Sequence, residues 1–496
     1  MTEHLDVLIV GAGLSGIGAA YYLQTRCRRK RYAILEARDA SGGTWDLFRY
    51  PGVRSDSDMY TLGYSFRPWR EPQAIAGGPA ILAYLRKTAQ VYGIDRQIRF
   101  GHRVRRAAWS SAEARWTVEA ERTTGDVVQL TCAFLYCCGG YYDYQQGYTP
   151  DWPGVKQFTG TIVHPQHWPA DLDYDGQRVV IIGSGATAVT LAPALAEQAA
   201  QVTMLQRSPT YIVTRPTRDA TADQLRRRLP RRLADGLVRW RSALQSLYYY
   251  TLMRRRPALA KDNLLQLVRA QLGPDYDVAT HFTPRYNPWD QRLCLAPDGD
   301  FFAAIRAGKL TVVTDHIATF TPAGIRLRSG AELAADIVVT ATGLVMRLLS
   351  GVQLTVDGTP VELAQTMTYK GMMLSDVPNL AFAIGYTNAS WTLKSELISR
   401  YVCRLLNYMD RHGYAQCTPR RTDQASTTAP VMDFTSGYVQ RALPMMPRQG
   451  SRRPWRMYQN YLLDTLTLRL GRVNDGTLKF TRRGQRAPGR RQRGAA

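Results

Sequence analysis

The sequence predicts an α/β fold with two Rossmann-like dinucleotide-binding domains and a helical insert. Two glycine-rich loops, at residues 11–16 and 183–188, each follow a short apolar run and each open a helical pattern. A buried parallel strand that leads through such a loop into a helix is the first unit of a doubly wound sheet. Residues 222–272 mix arginine with Leu, Val, Trp and Tyr at helical spacing, which predicts the insert.

The first loop directly follows the apolar run 7–10 at the N-terminus. Its residues Gly11, Gly13, Ser15 and Gly16 permit a tight turn and let the backbone and the helix N-terminus approach a pyrophosphate. Glu36 ends the next apolar run, where a carboxylate can accept hydrogen bonds from both hydroxyls of an unphosphorylated ribose. This loop therefore suits FAD or NAD and does not suit NADP.

The second loop follows the apolar run 179–182, and its predicted cofactor contacts are Gly183, Ser184, Gly185, Ala186 and Thr187. The apolar run after it, residues 202–205, is followed by Arg207 and Ser208 rather than by an acid. A guanidinium at this position can bind a 2′-phosphate bidentately. The two loops together predict FAD at the first site and NADPH at the second.

Composition agrees with a reduced, globular, multidomain protein. A chain of 496 residues with 45% hydrophobic residues predicts two or three domains. No apolar run is long enough to span a membrane, and the first strand leaves no room for a signal peptide, so we expect a cytoplasmic location. The 7 cysteines include no CxxC pair, which indicates reduced thiols and disfavours dithiol reductases.

The formal net charge of +24 raises nucleic acid and anionic membrane as alternative partners. No zinc spacing, RNP-type motif or helix-turn-helix pattern supports nucleic acid. Arginines at 226–232 and 254–256 give the helical insert a basic face, which is either a solvated surface or a peripheral membrane contact. We expect the Gly/Pro/Arg-rich tail, residues 481–496, to be disordered.

The interruptions of the two nucleotide units predict the order of the domains along the chain. Residues 1–146 and 346–480 are assigned to the FAD domain, which the chain leaves and re-enters. Residues 147–215 and 301–345 are assigned to the NADPH domain, and residues 216–300 form the helical insert between its two segments.

Three motifs carry a resemblance to a known family. Phe158, Gly160, His164, Trp168 and Pro169 fill every fixed position of the pattern FxGxxxHxxxWP. A second motif comprises Gly43, Trp45, Tyr50, Pro51, Gly52 and Asp56, and a third is Ala341-Thr342-Gly343. The chain thereby resembles the class B flavoprotein monooxygenases, and within them the Baeyer–Villiger monooxygenases. The resemblance implies that the first motif couples the two nucleotide domains.

The resemblance also implies an activity and its residues. It implies an FAD enzyme that consumes NADPH and inserts one atom of O2 next to a ketone carbonyl through a C4a-peroxyflavin. Hydrophobic ketones are the implied substrates, with sulfides and thioamides oxidised as well. Arg292 aligns with the family's catalytic arginine, and Asp56 aligns with the acid that pairs with it. Further implied cofactor contacts are Gly43, Thr44, Trp45, Asp56, Tyr60, Thr342 and Gly343.

Two alternatives remain open at this point. A flavin-dependent N- or S-hydroxylating monooxygenase of the same class would use the same nucleotide sites without needing Arg292. A binding protein directed to membrane or nucleic acid would use the basic helical insert.

One position departs from many members of the family, since Gln291 stands where they carry a lysine that helps bind the 2′-phosphate. Selectivity for NADPH would then depend mainly on Arg207 and Ser208.

Overall fold

The structure is a computed structural model that describes residues 2–421 and 427–484. The predicted disordered tail comprises residues 481–496. Residues 485–496 lie outside the described residues, whereas Thr481 belongs to the last strand, so the predicted start of the tail is wrong at that residue. The first elements along the chain are β1 His4–Val10, α1 Leu14–Arg26, β2 Tyr32–Leu35, α2 Thr44–Leu47, α3 Met59–Leu62, α4 Gly78–Val91, β3 Ile98–Arg99, β4 His102–Ser110, β5 Arg115–Arg122, β6 Val127–Cys137 and β7 Tyr142–Gly147.

The middle of the chain alternates strands with the helices of the insert. Its elements are β8 Thr161–Val163, β9 Arg178–Ile182, α5 Ala186–Leu195, β10 Gln201–Gln206, β11 Ile212–Arg215, α6 Ala220–Arg228, α7 Arg231–Arg255, α8 Pro257–Leu272, α9 Val278–Phe282, β12 Cys294–Pro297, α10 Asp300–Arg306, β13 Leu310–Thr314, β14 Ile317–Thr321, β15 Gly324–Leu327, β16 Glu332–Ala334 and β17 Ile337–Thr340.

The last part of the chain is built mostly from short strands around one long helix. Its elements are β18 Leu344–Met346, β19 Gln353–Val356, β20 Thr359–Pro360, β21 Thr368–Tyr369, β22 Met373–Leu374, β23 Leu380–Phe382, α11 Trp391–His412, β24 Gln416–Pro419, β25 Thr428–Pro430, α12 Gly437–Ala442, β26 Arg448–Gly450, α13 Tyr461–Asp464 and β27 Leu478–Thr481. A π-helical segment, Thr465–Leu470, directly continues α13.

The first sheet has β1 between β6 and β2. Its strand order is β20-β19-β4-β5-β6-β1-β2-β3, and β23 pairs with the C-terminal half of β6. Strands β1, β2, β3, β6 and β23 run parallel, whereas β5 pairs antiparallel with both β4 and β6. Val7 and Ile9 face one buried cluster and Leu8 and Val10 face the other, which explains the unbroken apolar run.

The second sheet is entirely parallel, with the order β13-β10-β9-β17-β8. Alternate residues of β9 again enter two different cores: Val179 and Ile181 pack against α5, whereas Val180 and Ile182 pack against the hairpin β14–β15. The predicted α/β class with two Rossmann-like sheets is confirmed by these two sheets.

The insert is helical from α6 to α9. Helix α8 contributes Leu265 and Val268 to the core of the second sheet, so this helix is packed there on one side. Helix α7 is 25 residues long but buries only the small or medium-sized Ala234, Val238, Ser242 and Ala243. No helix among the described residues is long and apolar enough to cross a bilayer.

Candidate functional site

The carboxyl ends of β1, β2 and β6 meet at one edge of the first sheet. Val10 is in register with Leu35 and with Cys137, so the loops that follow the three strands lie side by side. A cleft of about 680 Å³ opens there. Its lining includes the predicted residues Gly11, Gly13, Ser15, Glu36, Gly43, Thr44 and Trp45. The structure therefore brings these residues to one cavity although the sequence separates them into three short stretches.

The glycine loop leaves no room for side chains beneath this cleft. Gly11 has φ +98°, and a Cβ there would lie 2.8 Å from Cα of Gly139. A Cβ on Gly16 would lie 1.9 Å from the carbonyl oxygen of Gly11. The bare backbone lets the first turn of α1 approach the loop closely, and the N–H groups at the start of a helix favour an anion. A pyrophosphate fits this place.

Glu36 is buried at the same edge, with 5% of its surface exposed. Its Oε2 accepts a hydrogen bond from N of Ala12 at 2.7 Å, and its Oε1 accepts one from N of Arg38 at 3.0 Å. Burial raises the pKa of Glu36, although the backbone donors and the charge of Arg38 oppose this shift. Each carboxylate oxygen can accept a further hydrogen bond, so the group can still receive two ribose hydroxyls.

The other end of the cleft is aromatic. Tyr141, Tyr142, Tyr144 and Trp391 line it. The indole Nε1 of Trp391 donates to Oγ of Ser15 at 2.8 Å, and its ring centroid lies 5.1 Å from that of Tyr141. Thr44 Oγ1 lies 3.1 Å from the hydroxyl of Tyr144. A flat ring system joined to the adenosine end would meet these rings. Sequence reasoning missed the three tyrosines, although an aromatic run directly after β6 is a usable signal.

Tyr60 does not line this cleft. It lies on a second cavity of about 420 Å³, where the Arg226 guanidinium sits 4.7 Å from the centre of its ring. Burial raises the pKa of the Tyr60 hydroxyl to about 12. The expected cofactor contact of Tyr60 therefore receives no support from the lining of the cleft, because α3 places its side chain against the insert.

The second glycine loop lies at the carboxyl edge of the second sheet. Ile182 is in register with Leu205 and with Thr340, so Gly183, Arg207 and the Ala341–Gly343 motif follow three adjacent strand ends. Gly183 has φ +135°, and a Cβ there would lie 2.3 Å from the oxygen of Ala341. Gly185, by contrast, faces open space. Ala186 and Thr187 form the first turn of α5.

Arg207 is exposed beside this loop and has no ion pair within residues 2–421 and 427–484. Oγ of Ser184 donates to the carbonyl oxygen of Ser208 at 3.0 Å, which fastens the glycine loop to the Arg207 turn. An open glycine backbone, a helix N-terminus and an unpaired guanidinium form a suitable site for a nucleotide that carries an additional phosphate. The residues fit NADPH.

Arg292 and Asp56 form an ion pair near the aromatic end of the cleft. Nε of Arg292 lies 3.1 Å from Oδ2 of Asp56, with 36% and 25% of the two side chains exposed. Burial lowers the pKa of Arg292, but the negative charge of Asp56 and the phenols of Tyr141, Tyr438 and Tyr142 outweigh it and raise the pKa above its ordinary value. The guanidinium is therefore a permanent cation beside two tyrosines of the cleft.

The loop that carries Arg292 is held by the insert. Nη1 of Arg254, near the end of α7, lies 2.8 Å from Oδ1 of Asp290. The other oxygen of Asp290 accepts from N of Asn287 at 3.0 Å, and its carbonyl accepts from N of Thr435 at 2.9 Å. Trp289 adopts φ +70°, a conformation that L-residues rarely adopt. Arg254 and Asp290 are thus positioning residues that the sequence did not reveal.

The FxGxxxHxxxWP motif fastens the joining segment, which is the stretch of chain between β6 of the first sheet and β8 of the second sheet. His164 Nδ1 accepts from N of Gln166 at 3.1 Å, and His164 Nε2 donates to the oxygen of Gly343 at 3.3 Å. The ring lies so close to Gly147 that a Cβ there would be 1.9 Å from His164 Cε1. Burial lowers the pKa of His164. The neutral ring therefore links the joining segment to the third motif.

The remaining members of the FxGxxxHxxxWP motif pack against neighbouring residues. Phe158 is 9% exposed and meets Phe320 edge-to-face at 6.1 Å. A Cβ on Gly160 would lie 2.3 Å from the oxygen of Asp336. Trp168 meets Tyr174 edge-to-face at 6.4 Å, and Pro169 follows it at a half-buried position. Thr342 Oγ1 donates to the oxygen of Tyr148 at 2.6 Å, which adds a second tie between the joining segment and the third motif.

Comparisons with known proteins match nearly the whole chain. Residues 73–238 match the flavin-binding monooxygenase-like family, and residues 9–71 match an NAD(P)-binding Rossmann-like domain. The FAD-containing monooxygenase EthA of Mycobacterium tuberculosis H37Rv is 57% identical over 484 residues, covering 97% of this chain and 99% of that protein. EthA of Mycolicibacterium smegmatis is 54% identical over 483 residues, covering 97% and 98%.

Solved structures show the same fold at lower identity. An oxidised steroid monooxygenase bound to NADP superposes with a TM-score of 0.77 at 24% identity, covering 97% of this chain and 100% of that chain.

Proposed function

The chain belongs to the family of FAD-containing, flavin-binding monooxygenases, and from this premise we propose that it inserts one oxygen atom of O2 beside the carbonyl of a hydrophobic ketone to give an ester. We propose NADPH as the reductant. Sulfides and thioamides are proposed as further substrates. The observation that carries the proposal is the Arg292–Asp56 pair, a fixed cation at the aromatic end of the FAD cleft.

The two cofactors are assigned to the two sheet edges. The first edge offers the glycine cradle and the buried Glu36, which suit the pyrophosphate and the unphosphorylated ribose of FAD. The second edge offers the open Gly185 and the exposed Arg207, which suit the phosphates of NADPH. When bound, the reduced flavin supplies the activation of O2 that protein side chains alone cannot provide.

Arg292 is assigned the stabilisation of negative charge that develops on oxygen during the reaction. Its raised pKa keeps it charged throughout the working range of pH. Asp56 holds the guanidinium through Nε at 3.1 Å, which leaves both terminal nitrogens free to donate elsewhere. A preorganised cation of this kind stabilises an oxyanion without reorganisation at the moment of reaction. Trp391 and the tyrosines restrict water at the same end of the cleft.

The motif around His164 is assigned a structural role in coupling. It ties the joining segment to the end of β17 through His164 and Thr342, so a displacement of the second sheet would move the aromatic end of the cleft. We extend the proposal to the domain organisation: residues 1–146 and 346–480 hold FAD, and residues 147–215 and 301–345 hold NADPH, with the insert between.

The proposal is tested by isotope labelling of the purified, flavin-loaded protein. NADPH, 18O2 and an aryl or linear ketone are expected to give an ester that contains one 18O atom, measured by mass spectrometry with peroxide monitored in parallel. Labelled sulfoxide from a sulfide, with no ester from any ketone tested, would overturn the ketone assignment in favour of an S-hydroxylating monooxygenase. Peroxide alone from both substrate classes would overturn both.

A further inference from the structure

Helix α7 presents a row of large apolar side chains to solvent. Leu233, Leu237, Trp240, Leu244, Tyr248 and Leu252 are between 37% and 63% exposed. They follow one another at intervals of three or four residues, so they lie on one side of the helix. The side that packs against the protein carries mainly small residues, Ala234, Ser242 and Ala243 among them. This arrangement is the reverse of an ordinary surface helix, whose large apolar residues face the core.

A second row of leucines lies next to the first. Leu462, Leu466 and Leu470 follow one another at intervals of four residues, and they are 40%, 56% and 69% exposed. The ring of Tyr461 lies 5.2 Å from that of Trp240, which places the segment 461–470 against α7. We name the six residues of α7 and these three leucines the apolar face. Scattered exposed leucines are ordinary, whereas a contiguous set of this size indicates a binding surface.

Positive charge surrounds the apolar face. Arg231 and Arg232 precede the α7 row, and Arg254, Arg255 and Arg256 follow it. Within α7 the only acidic residue is Asp235. Among the described residues, Arg254 is the one arginine of these five that forms an ion pair, with Asp290 and Asp433. The other four are free to meet an external anion.

A cavity beside Trp240 and Tyr461 contains further arginines, together with the carboxylates of Asp235 and Glu396, which form ion pairs within the protein. The cavity of about 420 Å³ is lined on the α7 side by Arg232 and Trp240 and on the other side by Tyr461 and Arg469. Neither Arg232 nor Arg469 has an ion pair in the part of the chain that the structure describes. Guanidinium groups beside amphipathic aromatic rings match the boundary where anionic headgroups meet acyl chains.

We propose that the apolar face docks this protein on the surface of a bilayer that contains anionic lipid. The helices lie along the membrane rather than across it, since none is long and apolar enough to span. The basic rim favours lipid over a second copy of the chain, because a two-fold dimer through this face would bring the unpaired arginines of both copies together. The proposal is independent of which substrate the enzyme oxidises.

Vesicle binding by the full-length, flavin-loaded protein tests the proposal. We expect it to sediment with vesicles of phosphatidylcholine plus phosphatidylglycerol, and less with phosphatidylcholine alone or at high salt. The double substitution Leu237→Glu and Leu244→Glu should weaken binding by roughly tenfold or more, since two exposed leucines that would enter the bilayer become charged. The matched control is Val91→Glu with Val127→Glu, at positions 56% and 64% exposed outside the apolar face, and it should bind like the parent.

Sedimentation equilibrium measures whether the protein is a monomer or a dimer, and a second variant tests the basic rim separately. The double substitution Arg255→Gln and Arg256→Gln leaves the apolar row intact. It should weaken binding by about tenfold or more to the anionic vesicles and should not change binding to vesicles of phosphatidylcholine. Flavin absorbance verifies that each variant is folded. The proposal is overturned if the parent binds neither vesicle or if the leucine variant binds as tightly as the parent. It is equally overturned if the parent is a dimer that ignores vesicles and becomes a monomer in the leucine variant.

Discussion

The substitution Arg292→Ala should separate two steps that the proposed reaction requires. Arg292 lies beside the aromatic end of the FAD cleft, whereas the NADPH phosphates are assigned to Arg207 and the second glycine loop, on the other sheet. Removing the guanidinium should therefore leave reduction of the flavin by NADPH largely intact. Formation of the oxygenated product should fall, because the developing oxyanion loses its fixed cation.

The expected magnitude follows from the exposure of the pair. Removing one preorganised donor to an oxyanion costs about 10² to 10³ in turnover. The Arg292 side chain is 36% exposed, so water can replace part of its effect, and we expect a loss near the lower value, about 10². A partly exposed ion pair contributes only about 0–1 kcal/mol to stability, so the melting temperature should change little. The loss would then be chemical rather than a loss of fold.

Stopped-flow absorbance provides the first measurement, with the flavin reduced anaerobically by NADPH, and labelled-product analysis with 18O2 provides the second. Arg292→Lys keeps the charge but not the planar fork and should recover part of the activity. The matched control is Arg178→Ala, which removes the exposed ion pair with Asp336 and should affect neither step. An equal loss of reduction and of oxygenation in Arg292→Ala would refute the reasoning.

Four further predictions concern Glu36, Arg207, the second glycine loop and His164. Because burial raises the pKa of Glu36 and the ionised carboxylate is the better acceptor for ribose, FAD should bind more weakly as pH falls from neutral toward that raised pKa. Glu36→Gln should hold FAD weakly at every pH, as measured by ultrafiltration. Arg207→Ala should raise KM for NADPH about tenfold or more and leave KM for NADH unchanged, whereas a parallel loss would remove the reason for assigning NADPH. Gly185→Ala should raise KM for NADPH without changing the melting temperature, because its Cβ would face open space, whereas Gly183→Ala should lower the melting temperature. His164 has a lowered pKa, so its contribution to stability is present above the ordinary value of 6.5 and is lost as pH falls through the folded value; thermal unfolding of His164→Gln should lack that step.

The parts of the site that the sequence predicted are local in the chain. The apolar runs before the two loops become β1 and β9, and the loops lie at the edges that the runs implied. Glu36 reaches the cleft because it ends the strand next to β1. Such signals are reliable because strand, glycine turn and helix are encoded within about thirty residues. The family resemblance, confirmed by 57% identity to EthA, extended these predictions to residues far apart in sequence.

Other features required the folded chain. The tyrosines at 141, 142 and 144 line the FAD cleft, whereas Tyr60, assigned to the cofactor from the resemblance, lies on a different cavity. The contacts of Arg254 and Asp290 connect α7 with the loop of Arg292 through residues that no sequence motif marks. Pairings of this kind depend on how helices and sheets pack, and a single sequence contains no local signal for them.

The sequence by itself determined the α/β class, the two dinucleotide loops and the helical insert, because hydrophobic period, glycine spacing and strand-end charge act over short distances. The resemblance implied that Arg292 pairs with Asp56, and the two side chains do form an ion pair. Only the tertiary structure decided that this pair lies near the aromatic end of the cleft, and that α7 turns its large apolar residues outward. Helical spacing predicts that such residues share one side of a helix. Which side is covered depends on what packs against the helix, and for α7 the protein covers the small residues instead.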